Sequence, residues 1–97
     1  MKPSEALDLH RDAIRRVVLA NEARNPRVFG SVLHGNDTED SDIDILVDPI
    51  HGRTSLVSLV RIKRELDQLL GVKTDIQTPT SLHERFRAAI LQEAVPV

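Results

Sequence analysis

The chain has no cysteine, no tryptophan and no tyrosine, and Phe29 and Phe86 are its only phenylalanines. Each shortage excludes something. Without cysteine there is no disulfide framework, so a reducing compartment suits the chain and a cytoplasmic location is expected. With so few rings there is no stacking platform of the kind that holds single-stranded nucleic acid. An excess of base is missing too. Thirteen Lys and Arg stand against 15 Asp and Glu, for a formal net charge of -2, so nucleic acid is disfavoured as a direct ligand. No stretch reaches the length of a membrane span. The start, "MKPSEALDLHRD", lacks the apolar run of a signal peptide. No repeat, linker or low-complexity tract divides the 97 residues. A single domain, 1–97, is expected, large enough to bury roughly two-thirds of its unfolded surface.

What is present is a strictly alternating segment, "SDIDILVD", residues 41–48. Ile43, Ile45 and Val47 alternate with Asp42, Asp44 and Asp48, the pattern of a half-buried β-strand. Residues two apart share a face of a strand, so Asp42 and Asp44 stand side by side, roughly 6.5–7 Å apart. Two carboxylates that close repel unless a positive charge lies between them.

The flanking elements follow from period and punctuation. Residues 4–24 read as a helix with Ser4 as N-cap, stopped by Asn25 and Pro26. Residues 27–33 read as a strand that contains Gly30, and 34–41 as a polar loop. Residues 54–70 have Leu59, Ile62, Leu66 and Leu69 at helical spacing, with Gly71 where a C-terminal cap belongs. Residues 72–77 read as a third strand, with Asp75 on its polar face. Residues 81–94 read as a last helix, started by a Ser81/Glu84 capping box and burying Leu82, Phe86 and Ile90. A short loop makes the first two strands antiparallel, and a helical crossover makes the third parallel. The expected class is α+β, a small mixed sheet with helices packed on it.

The acids then acquire a context. Gly30 allows close approach to a ligand because it has no Cβ. Ser31 supplies a hydroxyl and an N–H for phosphate oxygens. Asp42 and Asp44 can bridge a pair of divalent cations, and Asp75 can complete the site and help ionise an attacking hydroxyl. Mg²⁺ suits such a site, because it takes a few carboxylates together with substrate phosphates and water.

The spacing of Gly-Ser, ten residues, then Asp-x-Asp, in "GSVLHGNDTEDSDID" at residues 30–44, resembles the signature of nucleotidyltransferases related to DNA polymerase β. The small size and the ending "ILQEAVPV" resemble their minimal branch, the antitoxins paired with HEPN-domain ribonucleases. The resemblance implies that Gly30 and Ser31 hold the phosphates of ATP, and that Asp42, Asp44 and Asp75 bind two Mg²⁺ ions. It implies transfer of AMP to a tyrosine of a HEPN toxin, within an oligomeric complex. The lack of tyrosine in this chain agrees with an acceptor on another molecule. One departure stands out. Relatives often carry G-S-R-A-R-G, where this chain has Val32, Leu33 and His34. That motivates an alternative, an antitoxin that neutralises its toxin by stoichiometric contact. A catalytic subunit that modifies a small molecule is a third reading.

Each of these residues also has a simpler reading. Asp42 and Asp44 suit a solvated strand face as well, and Asp75 a surface pair with Lys73. A calcium loop fails, because Ile45 stands where such a loop needs glycine. Asp48 reads as a turn acid before Pro49. Asp37, Glu39 and Asp40 read as solvated loop residues. His10, His34, His51 and His83 form no metal-ligand spacing. The basic residues Arg61, Lys63 and Arg64 read as a solvated helix face, open to an acidic partner.

Overall fold

The computed structural model describes residues 1–97. The elements in order are α1 (Pro3–Leu9), α2 (Arg11–Ala20), β1 (Ala23–Phe29), α3 (Gly30–His34), β2 (Ile43–Pro49), α4 (Leu56–Leu70), β3 (Thr74–Gln77), α5 (Glu84–Glu93) and β4 (Val95–Pro96). The four strands form one sheet in the order β3-β2-β1-β4. β1 and β2 are antiparallel, and β3 lies parallel to β2 after the α4 crossover. This is the α+β arrangement that the sequence implied. No helix is long and apolar enough to cross a membrane.

The core lies on one face of the sheet. Ile43, Ile45 and Val47 of β2 are fully buried against Ile14 and Val18 of α2 and Ile62 and Leu66 of α4. Each such side chain contributes about 1.5–3 kcal/mol. The alternation in β2 therefore turns Asp42 and Asp44 to the opposite face of the sheet, away from this core.

Several boundaries differ from the sequence reading. The expected helix 4–24 is two helices, broken at His10. Its N-cap is Lys2, whose N–H donates to Glu5 at 3.0 Å, while the Ser4 N–H donates to Asp37. Asn25 and Pro26 stop no helix. They occupy an irregularity inside β1, where three steps from Arg24 to Arg27 oppose two from Asp48 to Leu46. A bulge is where a strand tolerates a proline, which has no N–H to give the ladder. β1 ends at Phe29, and residues 30–34 turn into the short helix α3 instead of continuing as strand. Ser81 closes the turn at Thr78, and His83 caps α5 through a bond from the Arg85 N–H. Phe86 is exposed, whereas Ile90 of α5 and its C-cap Ala94 pack against Phe29 and Leu46 of the sheet. The edge strand β4, which pairs with Arg27 and Val28 of β1, had no signal in the sequence beyond two residues before the end.

β3 is held by a polar clamp. Asp67 Oδ1 accepts from the Thr74 N–H at 2.7 Å and the Thr74 hydroxyl at 2.8 Å. Lys63 Nζ reaches Asp67 Oδ2 at 3.0 Å and the Thr74 carbonyl at 2.6 Å. Burial disfavours the charge on Asp67, but these donors outweigh it and hold its carboxyl below the usual range. Asp67→Ala strands two donors of buried Thr74, and should cost about 1–3 kcal/mol in a urea melt. The lowered carboxyl sets the sign with pH. The advantage of the wild type is full above about pH 4 and is lost as the pH falls through the lowered value.

Candidate active site

The even residues of β2 lie on the face away from the main core. In register, Asp44 has Phe29 of β1 on one side and Asp75 of β3 on the other. Neighbouring strands are about 4.8 Å apart, so Asp44 and Asp75 are direct neighbours. Asp42 stands at the mouth of β2 on the same side, two residues ahead of Asp44. Further along this face, Leu46 joins Phe29 and Leu82 in a small second cluster, against which Ile90 and Ala94 pack. The segment from 82 to 94 thus covers the middle of the face. At the acidic end Asp42 and Asp75 are exposed and Asp44 is half-buried.

Gly30 comes immediately after Phe29, the register partner of Asp44. Its φ is +76°, and a Cβ built there would lie 2.0 Å from Asp44 Oδ2 and 3.0 Å from Asp44 Cγ. The backbone of Gly30 therefore lies directly against the Asp44 carboxylate, where no other residue fits. Ser31 follows at the start of α3, half-buried. The five residues singled out from sequence spacing, Gly30, Ser31, Asp42, Asp44 and Asp75, are brought together around one end of β2.

The electrostatics of the site are lopsided. Burial, and then the charges of Asp75 and Asp42, push the Asp44 carboxyl up to about 6. None of the three acids takes part in an ion pair. Asp75 accepts instead from Gln77 Nε2 at 3.0 and 3.2 Å, and not from Lys73. As the side chains stand, no three acids or imidazoles close on one point as a finished metal site. The donor chemistry nevertheless fits a hard divalent cation. The set offers carboxylate oxygens without a balancing base, and one acid carries a charge that its surroundings oppose.

Other acids found different duties. Asp48 does not close a turn. It pairs with Arg27 and accepts from Asn25 Nδ2 at 2.9 Å across the sheet. Asp37 is buried, not solvated. Its hydrogen bond from the Ser4 N–H lowers its carboxyl below the usual range and ties the polar loop to the first turn of α1. Glu39 and Asp40 are exposed as expected. His34 lies 3.2 Å from Glu93, joining the end of α3 to α5. Two features had escaped sequence reasoning. One is the role of Gln77: parity puts it on the polar face with Asp75, but not as the donor to that carboxylate. The other is a set of exposed apolar residues early in α4, marked only by their surplus over one helical stripe.

A mixed sheet with a Gly-Ser turn pressed on paired aspartates defines a class of transferase. The nucleotidyltransferase domain family matches residues 13–97, and the chain belongs to that family. Within it, the chain is a minimal nucleotidyltransferase. A provisionally assigned minimal nucleotidyltransferase of known structure superposes with a TM-score of 0.85 at 39% identity, covering 97% of this chain and 95% of that one. A protein of Methanocaldococcus jannaschii, provisionally named a protein adenylyltransferase, is 41% identical over 81 residues, 84% of this chain and 86% of the relative. A toxin-antitoxin structure with AMP-PNP shares the fold, with a TM-score of 0.73 at 18% identity over 89% of this chain and 70% of that one.

Proposed function

We propose that the chain is an antitoxin that transfers AMP from ATP to a hydroxyl, on a tyrosine, of a partner HEPN ribonuclease toxin. The observation that carries this reading is the contact of the Gly30 backbone with Asp44, beside the register pair Asp44 and Asp75. The protein adenylyltransferase name of the relative at 41% identity supports the reaction. The toxin-antitoxin origin of the fold neighbour supports the kind of partner. This chain contains no tyrosine, so a tyrosine acceptor belongs to another molecule.

Each residue then has a role. Gly30 and Ser31 hold the leaving phosphates by backbone N–H groups and the Ser31 hydroxyl. Asp42, Asp44 and Asp75 would bind two Mg²⁺ ions, which supply charge neutralisation of the triphosphate and ease ionisation of the acceptor. Asp75, on the flank away from Gly30, faces the acceptor hydroxyl and receives its proton. The acceptor oxygen forms a bond to the α-phosphorus, the bond to the β-phosphate bridging oxygen breaks, and pyrophosphate leaves with that electron pair.

One observation favours the second reading, neutralisation by contact alone. Val32 is buried, and His34 is engaged by Glu93. The phosphate turn thus has no fixed cation of its own. Intact-mass spectrometry of the cognate HEPN protein, incubated with this chain, ATP and Mg²⁺, decides between them. A gain of one or more AMP masses, lost with Asp42→Asn, is the expected result. Suppression of the ribonuclease without a mass gain would leave only the contact mechanism.

A further inference from the structure

Helix α4 carries more apolar surface than the core uses. Its buried residues are Ser58, Ile62, Leu66 and Leu70. Off that stripe, Leu56 is 77% exposed and Val60 is 49% exposed. They are one turn apart and share a stripe with Arg64, a further turn along. Leu56 and Val60, together with Ile76 of β3, wall a cleft of about 300 Å³ that also contains Asp75 and Gln77. Val60 and Arg64 line the adjoining dip. Arg64 forms no ion pair.

The position of the cleft says what it receives. Gly30 and Ser31 lie on the β1 flank of Asp44, whereas Asp75 lies on the β3 flank. β3 is the edge of the sheet. Phosphoryl and nucleotidyl transfer proceed in line, with the attacking oxygen opposite the leaving group. If pyrophosphate leaves toward Gly30, the acceptor enters from the β3 flank, and the cleft is that entrance. A protein acceptor must bring more than a hydroxyl, because a lone side chain offers little binding surface. Apolar groups on the rim of the entrance offer it an anchor.

We propose that Leu56, Val60 and Ile76 form the docking surface for the acceptor protein. They seat an apolar side chain of that protein next to the hydroxyl it presents to Asp75, and Arg64 meets an acidic residue of the same segment. This rests on the adenylyltransferase reading for its orientation, but its test does not depend on catalysis.

The test is titration calorimetry of the cognate HEPN protein into the full chain, with AMP-PNP affinity measured alongside. Leu56→Glu and the double variant Leu56→Glu/Val60→Glu alter exposed positions, and circular dichroism melts verify their fold. The double variant should bind the HEPN protein about 30-fold more weakly or worse, with AMP-PNP affinity unchanged. Leu91→Glu, an exposed apolar residue on α5, should bind it as the wild type does. Wild-type affinity in the double variant overturns the proposal. So does a loss of AMP-PNP affinity, which would make the cleft the base pocket. So does a wild-type chain that fails to bind the HEPN protein. Binding through this surface without any AMP transfer would keep the docking site and remove the enzymatic reading. AMP transfer that is indifferent to the double variant would do the reverse.

Discussion

Asp44→Asn should reduce nucleotidyl transfer by about 10³-fold or more and at the same time raise the stability of the metal-free protein at neutral pH. The two effects share a cause. Asp44 is half-buried between Asp42 and Asp75 with no base to compensate it. Its carboxyl titrates at about 6 instead of 3.8. The folded chain therefore holds this proton more tightly than the unfolded chain does. The favourable contribution is complete below about pH 4 and is lost as the pH rises through about 6. In the absence of divalent cations, the ionised acid costs about 1 kcal/mol at pH 7.5 once solvent screening is allowed for. In a domain of this size that corresponds to about 4–8 °C in melting temperature. Melts of the wild type in EDTA should shift upward between pH 7.5 and 5 from this group, and Asp44→Asn should lack that increment. Added Mg²⁺ should raise the melting temperature of the wild type at pH 7.5 and leave that of the variant unchanged. A variant with full transfer activity would remove the proposed role of the carboxylate. A variant that gains no stability would mean that the acid is not strained by its neighbours.

Gly30→Ala should be nearly as damaging to activity, through geometry instead of charge. The new Cβ would overlap Asp44 Oδ2 at 2.0 Å, and the backbone there has φ +76°. The left-handed conformation alone costs an alanine roughly 1–2 kcal/mol. Relief of the overlap requires the Asp44 carboxylate to rotate away from Gly30 and out of its position beside the Gly-Ser turn. We expect a drop in transfer of about 10²-fold or more. The melting temperature should also fall, the reverse of the Asp44→Asn shift. Gly35, also at positive φ but with open space around it, provides the control. Gly35→Ala should lose a comparable amount of stability and keep its activity. Equal activity losses at the two glycines would indicate a general loosening of the turn instead of a specific contact with Asp44.

Much of this was legible along the chain because local physics carried it. Alternation in residues 42–48 put Ile43, Ile45 and Val47 inside and the aspartates outside, since a strand has only two faces. The period of α4 and its glycine cap were equally plain. Loop and crossover lengths gave the antiparallel and parallel pairings. The resemblance in residues 30–44 added the class of chemistry. The boundaries that failed are those at which local preference was overruled. Asn25 and Pro26 are turn formers that tertiary pairing with β2 absorbed into a bulge. Gly30 and Ser31 sit inside an apolar run that reads as strand, but Gly30 adopts φ +76° against the Asp44 carboxylate and the chain turns there into α3. Asp37 has the composition of a loop and was recruited to a distant helix start.

The sequence by itself determined which residues could form a core, which acids would share a strand face, and that the 97 residues offer no tyrosine as an acceptor. Periodicity and composition are properties of the chain alone. Only the tertiary structure decided that Asp75 stands in register with Asp44, that Gly30 closes on the same carboxylate, and that Leu56 and Val60 are left uncovered beside them. Those relations join residues 14 to 31 positions apart. They arise from strand pairing and packing, which no local pattern encodes.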